Sequence, residues 1–301
     1  MLKTKIYYAL FLLLLGFSFP GISFADSESQ NKPANNIVWY RANFPPVTIP
    51  SGPEAGLGFF DKATEIIVEN LPEYAHSFGV ANFKRIIVDI KRKRNVCCPS
   101  LYKTKEREAF ISFSIPAFVV LPNVIITKKE HFKKIEAYVD QNNRLNLFEL
   151  LEKSDLTLGI SNGRRFSGGI DEVLEKFKDS AKIYVRSGED VLKGLLEMLL
   201  LDRVDYIIGY PIEAKYFLKT KSDFDSLEIH FIAENKIAYT LGYVGCPKNE
   251  WGEKIIHSVN QVLKEYRQTP EYLNFYEYWL DDQTIPFYKK IVNQYFVDEK
   301  L

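Results

Sequence analysis

Residues 156–209 set out a repeating order: Leu156–Ile160 (LTLGI), Ile170–Phe177 (IDEVLEKF), Lys182–Val185 (KIYV), Asp190–Leu201 (DVLKGLLEMLLL) and Asp205–Gly209 (DYIIG). The first, third and fifth stretches are short, rich in Ile, Leu, Val and Tyr, and bounded by Gly or polar residues, which is the pattern of buried strands. The second and fourth repeat apolar residues at three and four positions, the helical period. Ser187 with Asp190 forms a capping-box-like opening to the longer helix. Strands alternating with helices predict a parallel or mixed sheet covered on both faces, and so an α/β fold.

The same vocabulary extends outward in both directions. Upstream, Ile37–Arg41 is a β-prone run closed by Phe44-Pro45-Pro46. A loop with Gly52, Gly56 and Gly58 then leads to a helix whose inner face carries Phe59, Ala63, Ile66 and Ile67, stopped by Pro72. Asn82 is a candidate N-cap for Phe83–Lys93, with Phe83, Ile86, Ile87 and Ile90 facing inward and Lys84, Lys91, Arg92 and Lys93 forming a solvated outer face. Downstream come Ile229–Ile232, Tyr239–Val244, a helix from Trp251 to Tyr266, and a helical tail crowded with Tyr272, Phe275, Tyr276, Tyr278 and Trp279. Aromatics at helical spacing are expected to bury against the domain.

The N-terminus sets the compartment. Lys3 and Lys5 precede the apolar run Ile6–Phe19, a Pro20-Gly21 break and the small-residue pattern Ser23-Phe24-Ala25. This reads as a signal peptide, residues 1–25, cleaved after Ala25 to give a periplasmic protein with no remaining membrane span. The run is short for a membrane anchor, because a helix of that length reaches roughly 21 Å against a hydrocarbon core of about 30 Å. Residues 26–32 are polar and read as a flexible lead. The chain of 301 residues is 46% hydrophobic with a formal net charge of zero, and the segment removed carries two Lys and no acid, so the remainder is slightly acidic. That balance excludes a basic nucleic-acid binder.

Three cysteines, Cys97, Cys98 and Cys246, enter an oxidising compartment. A bond between the neighbours Cys97 and Cys98 would be strained, so Cys246 is expected to pair with Cys98 or Cys97. The four histidines, His76, His131, His230 and His257, are scattered and no C-x-x-C pair occurs. Neither a metal nor a cofactor is expected.

Several landmarks then resemble a family. Phe44-Pro45-Pro46 follows the first strand, and Gly56–Asp61 is similar to a Gly-aromatic-x-Asp helix entry. Lys103-Thr104-Lys105-Glu106-Arg107, with Phe113-Ser114-Ile115-Pro116 downstream, matches paired Thr-x-x-Arg and Phe-Ser-x-Pro segments. Leu158-Gly159-Ile160 leads to Gly163, and Arg203-Val204-Asp205-Tyr206-Ile207-Ile208 follows. Together, over nearly the whole chain after the signal, these resemble the bacterial type-II periplasmic solute-binding proteins, the extracellular solute-binding family 3 whose best-known members bind polar amino acids. The Cys97-Cys98 pair and Trp251-Gly252 resemble a divergent subgroup.

The resemblance implies a two-lobed fold of mixed sheets flanked by helices, with two crossover strands at a hinge and ligand held between the lobes. Lobe 1 would comprise 33–122 and 232–301, and lobe 2 would comprise 123–231, with crossings near Val119–Ile126 and Ile229–Ala233. It also implies site residues. Arg107, following Thr104, corresponds to the arginine that grips a ligand carboxylate with its planar fork of donors. Ser100 and Tyr102 would line the same pocket, and Phe44 and Phe83 would wall it. Gly163 would open a turn whose backbone N–H groups favour an anion, beside Arg164 and Arg165.

Where amino-acid binders carry acidic residues for the ligand ammonium, this chain has Arg41 and Tyr210, and Arg165 stands where a small hydroxyl residue is usual. Those departures imply an anionic ligand and not a simple α-amino acid. The resulting expectation is a monomeric solute-binding protein that delivers a small molecule to an ATP-driven permease or reports it to a membrane sensor. The alternatives are a dehydratase-like enzyme of the same fold and an interaction protein that has lost its ligand. No G-x-S-x-G, H-E-x-x-H or P-loop motif supports the enzyme.

Overall fold

The computed structural model describes residues 35–299 except 163, 167, 188–191 and 222–225. The expected signal peptide and flexible lead therefore lie outside the described residues. Two sheets organise the chain. Strands β1 (Asn36–Arg41) and β2 (Ala75–Val80) alternate with helices α1 (Phe59–Glu69) and α2 (Phe83–Lys91). The chain continues through β3 (Val96–Tyr102), α3 (Lys105–Glu108), β4 (Ile111–Phe113) and β5 (Phe118–Val120).

The second sheet begins with β6 (Val124–Lys128), followed by α4 (Phe132–Ile135), α5 (Leu147–Lys153), β7 (Leu158–Ser161), α6 (Ile170–Lys176), β8 (Ile183–Arg186), α7 (Lys193–Leu200), β9 (Tyr206–Gly209), α8 (Pro211–Lys221) and β10 (Leu227–Phe231). The chain then returns as β11 (Thr240–Pro247) and ends in α9 (Glu250–Tyr266), α10 (Pro270–Glu277) and α11 (Thr284–Asp298). The first sheet has the order β2-β1-β3-β11-β4, with β5 also paired to β11, and the second has the order β10-β6-β9-β7-β8. Both are mixed: β1 runs parallel to β2 and β3 while β11 is antiparallel to β3, and β7 runs parallel to β8 and β9 while β6 is antiparallel to β9.

Alternation along the strands explains why both faces are covered. On β1, Ile37 and Trp39 enter one core with α1, α9 and α10, while Val38 and Tyr40 pack on the other face with Ile86 and Ile90 of α2. On β6, Ile125 faces α5 and α6, while Val124 and Ile126 face α7 and α8. The same alternation settles the cysteines. Cys97 points into the first core and Cys98 into the second, so Cys97 meets Cys246 of β11 and forms the disulfide. Cys98 is a buried free thiol.

The aromatic tail is packed inward. Tyr272, Tyr276 and Trp279 are buried, with Tyr276 set edge-on to Phe59 at 5.1 Å and Tyr272 stacked on Phe118 at 4.8 Å. Tyr276 of this tail and Tyr288 of α11 also hold the passage between the sheets: the Leu121 N–H donates to Tyr276 Oη at 3.0 Å, and the Tyr288 hydroxyl donates to Val119 O at 3.1 Å.

The local cap readings divide. Asn82 caps α2, its Oδ1 accepting the Arg85 N–H at 2.9 Å. The helix expected to open at Ser187 and Asp190 instead starts at Lys193, with no side-chain cap at Leu192. Ser187 accepts a hydrogen bond from Asn162 at 3.1 Å, and Asp190 lies outside the described residues.

Candidate functional site

A short helix sets the central cation. Thr104, extended at the end of β3, accepts the Arg107 N–H with its hydroxyl at 3.2 Å and so caps α3. The Arg107 side chain then turns back, and its guanidinium donates to Tyr102 O at 2.8 Å. Opposite, the loop after β1 is tied to the start of α1: Phe59 N–H donates to Pro46 O at 3.1 Å and Phe60 N–H to Val47 O at 3.0 Å. Asp61 is buried below it, accepting the Ile49 N–H at 2.6 Å and the Arg41 guanidinium at 3.1 Å. Burial pushes the Asp61 carboxyl above its ordinary range, and these two bonds act in the opposite direction.

Between these elements lies a cavity of about 210 Å³. Phe44, Phe83, Ser100, Tyr102, Arg107 and Tyr210, all anticipated from the sequence, line it. So do Val47, Phe59, Phe60, Val120, Ile212 and Leu241, with Thr240 and Gly242 of β11. Sequence reading placed Phe59 on a core face and assigned the others no site role. The walls are largely aromatic, with Phe44 edge-on to Phe83 at 6.2 Å. Gly242 leaves room for a ring, because a Cβ there would lie 2.5 Å from Cζ of Phe60 and would force it to shift. The Ser100 hydroxyl is buried without a hydrogen-bond partner, apart from the weak sulfur of Cys98 beside it. Tyr210 and Ile212 reach this cavity because the corner between β9 and α8 inserts into the core of the first sheet.

The remaining anticipated residues sit elsewhere, and two readings are corrected. Arg41 does not line the cavity: it is bound to Asp61 and its guanidinium lies over the Phe78 ring at 4.9 Å. Arg165 is exposed and its charge acts on Glu175. Thr104 supports Arg107 without lining the space. Gly163 lies outside the described residues.

Arg164 lies close by, but its charge is paired with an acid. It gives two hydrogen bonds to Glu213, at 3.1 and 2.6 Å, while 5.9 Å from the Phe44 ring and 5.4 Å from that of Tyr210. Burial works against its charge, but the Glu213 carboxylate outweighs that cost and holds it firmly protonated. Away from the cavity, Glu130, His131 and Asp202 cluster, and the Lys128 ammonium pairs with two of them, at 2.5 Å from Glu130 and 2.9 Å from Asp202.

Residues 37–282 match the family model described as bacterial extracellular solute-binding proteins, family 3. The chain belongs to that family. Membership carries small-molecule binding and a location outside the cytoplasm, periplasmic or extracellular. Among solved structures, this solute-binding protein is similar to an ancestral arginine-binding protein bound to arginine, at 19% identity and a TM-score of 0.59, covering 82% of this chain and 99% of that one. It is similar also to the amino-acid ABC transporter substrate-binding protein AbpA of Streptococcus pneumoniae bound to L-arginine, at 17% identity, a TM-score of 0.58 and coverage of 81% and 94%.

A third is the ancestral amino-acid-binding protein AncCDT-1, a precursor of cyclohexadienyl dehydratase, at 18% identity, a TM-score of 0.59 and coverage of 82% and 96%. At these identities the likeness shows the two-lobed type II fold alone. No curated protein sequence matches. Among the described residues no helix is long and apolar enough to cross a membrane.

Proposed function

We propose that this solute-binding protein captures a small anionic ligand, with Arg107 as the recognising charge, for import by an ATP-driven permease or for report to a membrane sensor. One observation carries the reading: among Arg41, Arg107 and Arg164, Arg107 alone lines the cavity and has no carboxylate partner among the described residues. Its hydrogen bond to Tyr102 O uses one nitrogen, leaving donors for a carboxylate or phosphate. Of the three departures from amino-acid binders, Arg41 and Arg165 are engaged away from the cavity while Tyr210 lines it with Arg107.

Lobes of 33–122 with 232–301, and of 123–231, would close over the ligand, with Tyr210 and Ile212 contributed by the second. The alternative of a dehydratase-like enzyme has less support, because no His, Asp, Glu or Lys is among the described residues lining the cavity.

Thermal unfolding against a panel of amino acids, dicarboxylates, sugar acids, phosphates and short peptides tests this. A bound compound at a hundred times its dissociation constant adds about 2.7 kcal/mol of stability. An anion should raise the midpoint, and Arg107→Ala should abolish the rise. A rise that survives Arg107→Ala would move recognition elsewhere.

A further inference from the structure

We infer that the ligand is a carboxylate with an apolar, aryl or branched body and no ammonium group. The inference rests on the capture reading above and names the ligand class of the same cavity. Among the described residues the cavity wall carries one guanidinium, Arg107, and no Asp or Glu. Asp61 and Glu213 directly follow the lining residues Phe60 and Ile212 in the chain, and both are committed elsewhere. Asp61 accepts from Ile49 N–H and Arg41, while Glu213 accepts from both Arg164 nitrogens and from Tyr210 N–H at 2.7 Å. An α-ammonium brought into this space would lose its water and gain a like charge, with no counter-ion in reach among the described residues.

The rest of the wall selects the body. Phe44, Phe59, Phe60, Phe83, Ile212 and Leu241 offer apolar surface that gains from covering an apolar group and gives nothing to a second charge. Aromatic rings can also hold a cation, but here that cation would share the cavity with Arg107. On the polar side, Ser100 Oγ is buried beside the cavity with no hydrogen-bond partner beyond the Cys98 sulfur. A carboxylate held by Arg107 would supply the acceptor that this hydroxyl lacks.

Titration calorimetry on the purified protein tests the inference with three related probes and one control. 3-Phenylpropanoate is phenylalanine without its ammonium, 2-phenylethylamine is phenylalanine without its carboxylate, and succinate is an anion without an apolar body. The expected order is 3-phenylpropanoate bound, phenylalanine and succinate at least tenfold weaker, and 2-phenylethylamine without measurable heat, with Arg107→Gln weakening 3-phenylpropanoate at least tenfold. Phenylalanine or succinate binding as tightly as 3-phenylpropanoate, with Arg107→Gln still damaging, overturns the ligand class and leaves anion capture standing. Binding by none of the acids, or affinity unchanged in Arg107→Gln, overturns the capture reading and this inference together.

Discussion

Arg164 and Glu213 form a two-bond ion pair in which the side chains are 7% and 3% exposed, joining residues 49 positions apart against the rings of Phe44 and Tyr210. Glu213 also accepts the Tyr210 N–H, so one carboxylate orients both the buried cation and the corner that brings Tyr210 to the cavity. A pair this dry contributes little net stability, because its attraction mostly offsets the desolvation of two charges.

Removing one partner should therefore cost far more than removing both. Glu213→Gln leaves a buried guanidinium without counter-charge and is expected to destabilise by about 3–5 kcal/mol, whereas Arg164→Met with Glu213→Leu should lose much less. Urea unfolding of the two single variants and the double measures this. Losses that simply add would show that the two side chains act independently.

The disulfide and the third thiol should behave differently. Cys97 and Cys246 are 149 residues apart, so breaking their bond frees a long loop in the unfolded chain and should cost about 2–5 kcal/mol in Cys97→Ser. Cys98 is fully buried, and burial pushes its thiol up to about 11. It should resist alkylation in the folded protein at neutral pH and react only after unfolding. Non-reducing peptide mapping should recover Cys97 linked to Cys246, and a Cys98–Cys246 peptide would contradict the strand alternation.

The fold was legible wherever a local period existed. The helix at Ile170 and the strand ending at Gly209 carry their own hydrophobic patterns, and the cap at Asn82 is a three-residue relationship. Strand β3 was not legible, because Val96-Cys97-Cys98-Pro99 contains a proline and no polar alternation. Cys97 could be told from Cys98 only once β11 lay beside that strand. In the cavity, Arg107 was legible through the resemblance of Thr104-Lys105-Glu106-Arg107 to the family's Thr-x-x-Arg segment. The roles of Arg41 and Arg164 were not, since each is decided by an acid distant in sequence, Asp61 or Glu213. Ion pairing across 20 or 49 residues leaves no local mark.

His230 should make stability depend on pH. It is buried, stacked on Phe132 at 5.4 Å, and burial lowers its pKa below 6.5, against a smaller opposing pull from Glu228. The unfolded chain therefore binds a proton at higher pH than the folded one. The stabilising contribution is complete above about pH 6.5 and is lost as pH falls through the depressed folded value. Melting temperatures from pH 7.5 to 5 should fall more steeply for the natural protein than for His230→Phe. Parallel profiles would mean that His230 titrates alike in both states.

Gly242 gives the most direct link between packing and capture. It lies on β11 opposite Tyr102 and Phe118, and a Cβ at this position would meet Phe60 Cζ at 2.5 Å and Cε2 at 2.9 Å. Phe60 is buried between Phe59 and Phe118, with ring centroids at 5.0 Å to each, so the ring has little freedom on its core side. In Gly242→Ala the ring must move, and the cavity is the space open to it. Overpacking of this kind costs about 1–3 kcal/mol, which the fold should survive. The displaced ring should lower affinity for 3-phenylpropanoate more than tenfold, with Arg107 untouched. Unchanged affinity in a folded Gly242→Ala protein would mean that the ligand does not occupy the space between Phe60 and Arg107.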